Sequence, residues 1–521
     1  MLRTKPPQAS FYGSYLYDRI IPEDHLLRKI NAVVDFSFIR ELVKDRYTPN
    51  FGRPAEDPEF MLRLCLLQYL YGDSDRHVIE NARVNLAYKY FLGLAVDDDV
   101  PDDTTISYFR AHRLGEEKFK AVFQNIVQQC IDKGLVTGKR QIVDSTHILA
   151  DMTITSLTGL VSLCRQNVLR DIGDQNPKVA ERLGIKEPGY SKQDKFASKE
   201  EHLEQEVEKA KDLLDGVTSE LKGGAIKADE RLQHDLELLE KAAVTDRVDD
   251  ATDRLVSPID PDARAGKKEH KSWAGYKGHL VVEEDSEIIT AVETTPGNKD
   301  DGGRLKPLLE QQKEAFNLVP HELSADRAYG TGANLDILEC GNITGYVSLK
   351  EKYNRAGRDL FTQDDFKYDA SNDTLTCPAG HVSSHSKRDL VLGASIHRNG
   401  IMFEFSHRLC AACQLKPLCY RGRTSVHGRA VHISQYEPLY RQMKKRMESD
   451  GGREAYRNRY KVEHKIADLA RYCGMRRCRY RGLARAKIHT LLSAIGSNVK
   501  RMAKLLWKTP EPPLLVVGVA K

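Results

Sequence analysis

Residues 140–151 read RQIVDSTHILAD. Ile142, Asp144 and Thr146 alternate with Val143, Ser145 and His147, with β-branched residues throughout, which predicts a strand. Asp144 falls mid-strand among apolar neighbours, an expensive place for an unpaired carboxylate. A compensating cation is therefore expected beside it. His147, three residues on, points to the opposite face and reads as structural.

Working outward, GYKGHLVVEEDSEIITAVETTPGNKD predicts two strands, 276–283 and 287–295, joined by the acidic turn Glu284-Asp285-Ser286. A helix over 303–316 follows, then a strand running into LSADRAYG, a helix near 331–340 and a strand near 344–349. Strands followed by helix–strand–helix imply a mixed α/β sheet. Asp326 closes the strand of LSADRAYG, and Gly330 with its small neighbours suggests a tight turn with an open face.

The chain has 521 residues, 40% hydrophobic and 30% charged, an ordinary globular composition too long for one core. No window approaches the roughly 18 to 20 uninterrupted apolar residues of a membrane helix. MLRTKPPQASFYG has no apolar core of a secretory leader, so a cytoplasmic chain that spans no membrane is expected. The net charge is +5, but residues 451–508 carry 16 Lys/Arg against Glu454, Glu463 and Asp468. That stretch is +13 and the remainder −8. Charge of one sign gathered in a folded segment faces a polyanion or forms a solvated helix face.

Residues 20–130 read as short helices, including PEFMLRLCLLQYLYG and RHVIENARVNLAYKYFLGL. DDDVPDDTTISYFRAHRLG then supplies a start signal and a short basic run with Arg110 and Arg113. The pattern suits either a helix-turn-helix reader of DNA, with Arg110 a contact, or a plain helical bundle. Between 200 and 245, Leu203, Val207, Ala210, Leu214, Val217 and Leu221 recur at heptad spacing. Gly223-Gly224 breaks the run, and Leu232, Leu236, Leu239 and Ala243 resume it. This reads as an antiparallel helical hairpin inserted in the core, with dimerisation the alternative. Residues 350–435 turn Gly-, Ser- and Arg-rich with short extended runs such as IMFEFSH.

Of ten cysteines, six (65, 130, 164, 340, 473 and 478) are scattered and read as reduced thiols. Four cluster: Cys377 in CPAGH, Cys410-Ala-Ala-Cys413, and Cys419. Cys-x2-Cys with two further cysteines suits a structural zinc, with His381 and His407 as substitute donors; irregular spacing leaves unliganded thiols as the other reading.

Three acids stand apart: Asp144, Asp326, and Glu463 in the basic C-terminal stretch. Carboxylates at strand ends facing one helix can converge on hard divalent cations. Two such ions, about 4 Å apart, activate a hydroxyl and stabilise the leaving oxygen at a phosphodiester.

The chain resembles insertion-sequence transposases with an RNase H-like Asp-Asp-Glu core, in the large bacterial group whose Glu helix carries a Tyr-Arg-Glu-Lys signature. Tyr456, Arg459 and Glu463 stand in register with it. The lysine position holds Ala470, with Arg471 one place on. VDSTHILAD, DPDARAG (260–266), residues 275–301, SADRAYG and VEHKIADLARYCGMRRCRYRGL also match the group. So does RVNLAYKYFLGLAVDDDVPDDTTISYFR in its N-terminal domain.

The resemblance implies catalysis by Asp144, Asp326 and Glu463 holding two Mg²⁺ or Mn²⁺ ions. It implies a double-stranded DNA partner, the element's terminal inverted repeats and its target, and a homodimer on that DNA at the nucleoid. Phosphates would be gripped by Tyr456 and Arg459, with Arg471 or Lys465 standing in for the lysine, or by Arg476 and Arg477 of MRRCRYRG. Trp273 would stack on a base or pack, and Asn298 and Asp301 would support the site. The implied organisation is a helical DNA-binding domain over 1–135, then the RNase H-like mixed-sheet core over 136–349, with the hairpin inserted at about 195–250. A β-rich insertion over 350–435 and a basic helical remainder of the core over 436–521 complete it. A catalytically decayed DNA-binding protein and a nuclease without strand transfer are the alternative readings.

Overall fold

The structure is a computed structural model describing residues 11–48, 55–184, 198–248, 251–268, 271–350, 359–369, 371–383, 385–388, 400–419 and 428–507. The leader reading at residues 1–10 lies outside them. The chain divides into two compact units, one of residues 1–137, 145–299 and 461–521, the other of 138–144 and 300–460.

The first unit opens with helices α1 (Phe11–Ile20), α2 (Leu26–Val33), α3 (Phe38–Leu42), α4 (Pro58–Tyr71), α5 (Asp75–Val84), α6 (Leu86–Leu92), α7 (Asp103–Tyr108) and α8 (Gly115–Asp132). Local chemistry sets the ends of α4. The Asp57 side chain accepts from the Glu59 N–H, Pro58 occupies the first turn, and Gly72 stops the helix at φ 84°. Phe60, Met61, Leu62, Leu64, Leu66, Leu67 and Tyr69 bury on every face, so α4 is a central helix rather than an amphipathic one.

Strand β1 (Arg140–Leu149) passes from the second unit into the first. After it come α9 (Leu157–Gln175), α10 (Pro177–Gly184), α11 (Lys199–Lys222) and α12 (Glu230–Ala243). Gly223-Gly224 joins α11 to α12, and a capping box of Ser198 and Glu201 opens α11. Ala210, Val217, Leu232, Leu239 and Ala243 bury against Leu160, Val161, Val168 and Ile172 of α9. The heptad pattern is therefore spent within the chain. Its helices form one packed group with α9 and α10.

Antiparallel strands β2 (Arg264–Lys268), β3 (Lys271–Glu283) and β4 (Ile289–Pro296) follow; β3 and β4 contain most of the two expected strands, β3 starting five residues earlier, and β2 was not anticipated. The Ala150 N–H donates to the Ala274 oxygen at 3.1 Å. A Cβ on the neighbouring Gly275 (φ 147°) would strike the backbone of Ile148 and Ala150, so this approach requires glycine.

Two more helices of this unit lie far along the chain: all of α19 (Tyr460–Tyr472) except Tyr460, and α20 (Leu483–Leu506). α20 is buried from Ala486 to Ala503 on nearly every face and packs on α2, α4, α8 and β4. The Tyr69 hydroxyl meets Nδ1 of His489 at 3.0 Å, and burial pushes that imidazole down to about 3. The Asn498 side chain bonds both the N–H and the oxygen of Ile289, at 2.9 and 2.8 Å, as a strand partner would. Residues 1–135 thus share their core with the C-terminal helix.

In the second unit the first half of β1, β5 (Glu322–Ala325) and β6 (Thr344–Val347) run parallel. Helices α13 (Leu305–Phe316) and α14 (Gly332–Cys340) alternate with them. With the antiparallel part, the sheet is mixed. Small strands β7 (Lys367–Asp369), β8 (Thr374–Thr376) and β9 (Val382–Ser383) form one three-stranded sheet; β10 (His385–Arg388), β11 (Gly400–Glu404) and β12 (Ala430–Ser434) form another. Phe366, Leu375, Phe403, Phe405, Val431 and Ile433 make their common core. Short helices α15 (His407–Ala411) and α16 (Lys416–Cys419) lie between β11 and β12, and α17 (Glu437–Glu448) and α18 (Asp450–Asn458) follow. Among the described residues no helix is long and apolar enough to cross a membrane.

Candidate functional site

In the second unit Arg140 pairs with Glu322 across β1 and β5, and the register runs on to Val143 opposite Ala325. The next residue on each chain is an aspartate, Asp144 and Asp326. Neighbouring strands lie about 4.8 Å apart, so the two carboxylates are brought together by register alone. One guanidinium bonds both: Arg459 donates from Nη2 to Asp144 Oδ2 at 3.4 Å and from Nη1 to Asp326 Oδ1 at 3.3 Å. The cation expected beside Asp144 is this arginine.

Three local devices hold the pair. Asp326 Oδ1 accepts the Arg327 N–H at 2.6 Å, capping the turn Arg327–Tyr329. The Asn334 amide donates to the oxygens of Gly302 and Tyr329 at 2.8 and 2.9 Å, tying two loops together. Arg140 bonds Glu322 at 2.6 Å and Glu454 at 2.8 Å, which fixes α18 so that Arg459, its C-terminal cap, reaches the aspartates. Arg140 and Asn334 were not singled out in the sequence, because their roles depend on partners far along the chain.

Asp144 is 15% exposed and Asp326 46%, so the pair has a buried and an open member. The donor set is hard oxygen, the chemistry suited to Mg²⁺ or Mn²⁺. Among the described residues no three His, Cys, Asp or Glu side chains stand together as a ready metal site. Glu463 lies in the first unit, exposed in the first turn of α19, where the helix dipole favours a carboxylate. The helical stretch breaks at Arg459, between α18 and α19.

The expected phosphate contacts separate into two kinds. Arg110 is enclosed: it donates to Gln68 Oε1 and Asp75 Oδ1, both at 2.9 Å, also pairs with Asp75 Oδ2, and lies over the Tyr480 ring. Burial opposes both charges, but their mutual hydrogen bond and attraction, with the other neighbours, leave the guanidinium pKa raised and that of Asp75 lowered. Its neighbour Arg113 stacks on Tyr47 and Tyr108. The basic run after α7 is thus engaged in packing, and Arg110, expected as a DNA contact, is enclosed in this structure. Lys465 is enclosed likewise. It is 3% exposed, faces Ser497 and Glu287 at 3.3 and 3.8 Å, and burial lowers its pKa. It falls on the buried face of α19 with Val462 and Leu469.

Tyr456, Arg471, Arg476 and Arg477 are exposed. The run 475–482 docks along the end of β1, the Leu149 N–H donating to the Arg476 oxygen at 3.0 Å and the Cys478 N–H to the Leu149 oxygen at 2.8 Å. Arg477 pairs with Asp151 at 3.4 Å. Arg476 approaches His147 at 3.5 Å, and His147 lies against Trp273 with ring centroids 5.3 Å apart. The first unit therefore carries a cationic patch with aromatic faces. Asn298 instead bonds the Thr252 oxygen and Asp253, both at 3.1 Å, and braces a loop of the first unit. Asp301 begins the turn Gly302–Arg304 in the second unit.

The clustered cysteines Cys377, Cys410, Cys413 and Cys419 line one small cavity together with His381. Burial raises the Cys419 thiol, Arg429 opposes this, and the other three thiols add to the rise.

A family model described as Transposase domain (DUF772) matches residues 15–112, and one described as Transposase DDE domain matches residues 376–503. The second match holds Arg459, Glu463 and the four cysteines; Asp144 and Asp326 lie outside it. No curated protein matches the chain as a relative. A transposase-domain match at the N-terminal end and a DDE-domain match toward the C-terminal end together support an insertion-sequence transposase of the DDE kind.

Proposed function

We propose that the chain cuts phosphodiesters at the ends of its element and joins the freed 3′-hydroxyls to target DNA, at an RNase H-like site containing Asp144 and Asp326. The observation that carries this reading is the register-enforced meeting of those two aspartates on one guanidinium. Glu463 is assigned as the third carboxylate from its signature spacing to Tyr456 and Arg459.

Asp144, Asp326 and Glu463 would hold the ions; when bound, two divalent cations supply a hydroxyl nucleophile near neutral pH and charge stabilisation at the leaving oxygen. The chain's own residues do the rest. Asp144, the less exposed acid, gives a fixed ligand, while the open Asp326 leaves room for a phosphate. Arg459 offsets the repulsion of two adjacent carboxylates. The exposed Arg471 and the patch of Arg476 and Arg477 supply phosphate contacts of the kind that dominate DNA affinity. Two element ends must be processed together, so two chains on DNA are the working assembly.

The test is incubation of the full chain with labelled terminal-repeat DNA and Mg²⁺, with a target plasmid present. Nicking followed by strand transfer, abolished by Asp326→Asn with DNA binding retained, supports the reading. Binding without nicking identifies a DNA-binding protein, and nicking without joining identifies a nuclease; either outcome overturns it.

A further inference from the structure

We infer that Cys377, Cys410, Cys413 and Cys419 form a closed tetrathiolate site for one Zn²⁺ that staples the two small sheets of the second unit. The site is separate from the DNA-cutting chemistry, because four protein thiolates leave no open coordination position.

The four cysteines come from three different places and meet at one cavity of about 30 Å³. Cys377 follows β8 in a tight turn: its N–H donates to the His381 oxygen and its oxygen accepts the Gly380 N–H, both at 2.8 Å. Gly380 takes φ 83° to close that turn, so CPAGH presents its thiol from a knuckle. Cys410 and Cys413 lie on and just after α15, with the Cys413 N–H bonded to the Cys410 oxygen. Cys419 ends α16. The Arg429 N–H donates to Cys410 Sγ at 3.5 Å, the kind of outer hydrogen bond that orients a ligating sulfur.

The surroundings explain what the metal would do. Phe361, Phe366 and Phe405 also line the cavity, yet the strands beside it are two to five residues long. Such short strands bury little apolar surface, and small domains of this kind are commonly held by metals. The thiols are not disulfide-bonded. No three of them stand at ligating distance, so binding would draw side chains inward and release thiol protons.

The experiment measures metal content of the full chain purified under reducing conditions after expression with zinc. One zinc per chain is expected. The double substitution Cys410→Ser and Cys413→Ser should reduce this to background, whereas Cys340→Ser, at an exposed cysteine outside the cavity, should leave it unchanged. Should the double variant fail to fold, the parent chain stripped by a chelator and titrated with Co²⁺ decides the matter. Thiolate-to-cobalt charge transfer with tetrahedral d–d bands supports the site. Background zinc in the parent, zinc retained by a folded double variant, or an octahedral cobalt spectrum overturns it. Asp326→Asn should keep its zinc whatever happens to cleavage, so this inference and the proposed function can fail separately.

Discussion

Asp144 and Asp326 each follow a register-paired residue, Val143 and Ala325, on neighbouring parallel strands, and the Arg459 guanidinium bonds both. A one-residue slip of β5 against β1 would break this meeting, because side chains alternate faces along a strand.

Asp144→Asn and Asp326→Asn should each lower cleavage of terminal-repeat DNA by about a hundred- to a thousandfold or more, the scale of losing one electrostatic partner of a transition state. DNA affinity, read by filter binding at fixed salt, should stay within a few-fold of the parent or rise, because a negative charge has been removed. Cleavage at the parent rate by either variant would remove that aspartate from the site.

Arg476→Ala with Arg477→Ala should weaken DNA binding across sequences and reduce the slope of log affinity against log salt by about two. Both side chains are exposed, so thermal stability should hardly change. An unchanged salt slope would place the DNA elsewhere.

Arg110→Met should behave in the opposite way. It strips Asp75 and Gln68 of their shared cation, and breaking a buried ion pair costs about 3 kcal/mol. Urea unfolding should show this loss, while DNA affinity per folded molecule stays unchanged. A stable variant with weakened DNA binding would return Arg110 to the interface.

His489 accepts a proton in the unfolded chain near its ordinary value of 6.5 and in the fold only near 3. The unfolded state therefore binds more protons between those values. The stability that comes from keeping this imidazole neutral is complete above pH 6.5 and is lost as pH falls toward 3, at up to about 1.4 kcal/mol per pH unit. His489→Gln should flatten the acid limb of a stability profile measured by urea titration. A limb of unchanged slope would assign it to other groups.

The sheet was legible because its cues are local. Alternation around Asp144, the strand pair at 276–295 and the turn after Asp326 all depend on residues within a few places of one another. The hairpin was legible from its heptads, but α9 and α10 were not, since they show their apolar faces only against the hairpin that covers them. The enclosure of Arg110 and Lys465 was not legible, because charge in a sequence reads as surface. Their burial depends on Asp75, Gln68, Ser497 and Glu287, partners that spacing along a helix does not reveal. Arg459 was found through its signature position, yet its bonds to both aspartates needed the register of β1 and β5. The four cysteines were legible as a group, and their shared cavity needed the fold.

α20 has a consequence for synthesis. Tyr69 and His489, in contact in the core, lie 420 residues apart in the chain. At ribosomal rates of about 5 to 20 residues per second, roughly twenty to eighty seconds separate their emergence. Throughout that interval the apolar flanks of α2, α4 and α8 lack their partner. The first unit therefore gains its complete native core only when nearly the whole polypeptide has been made.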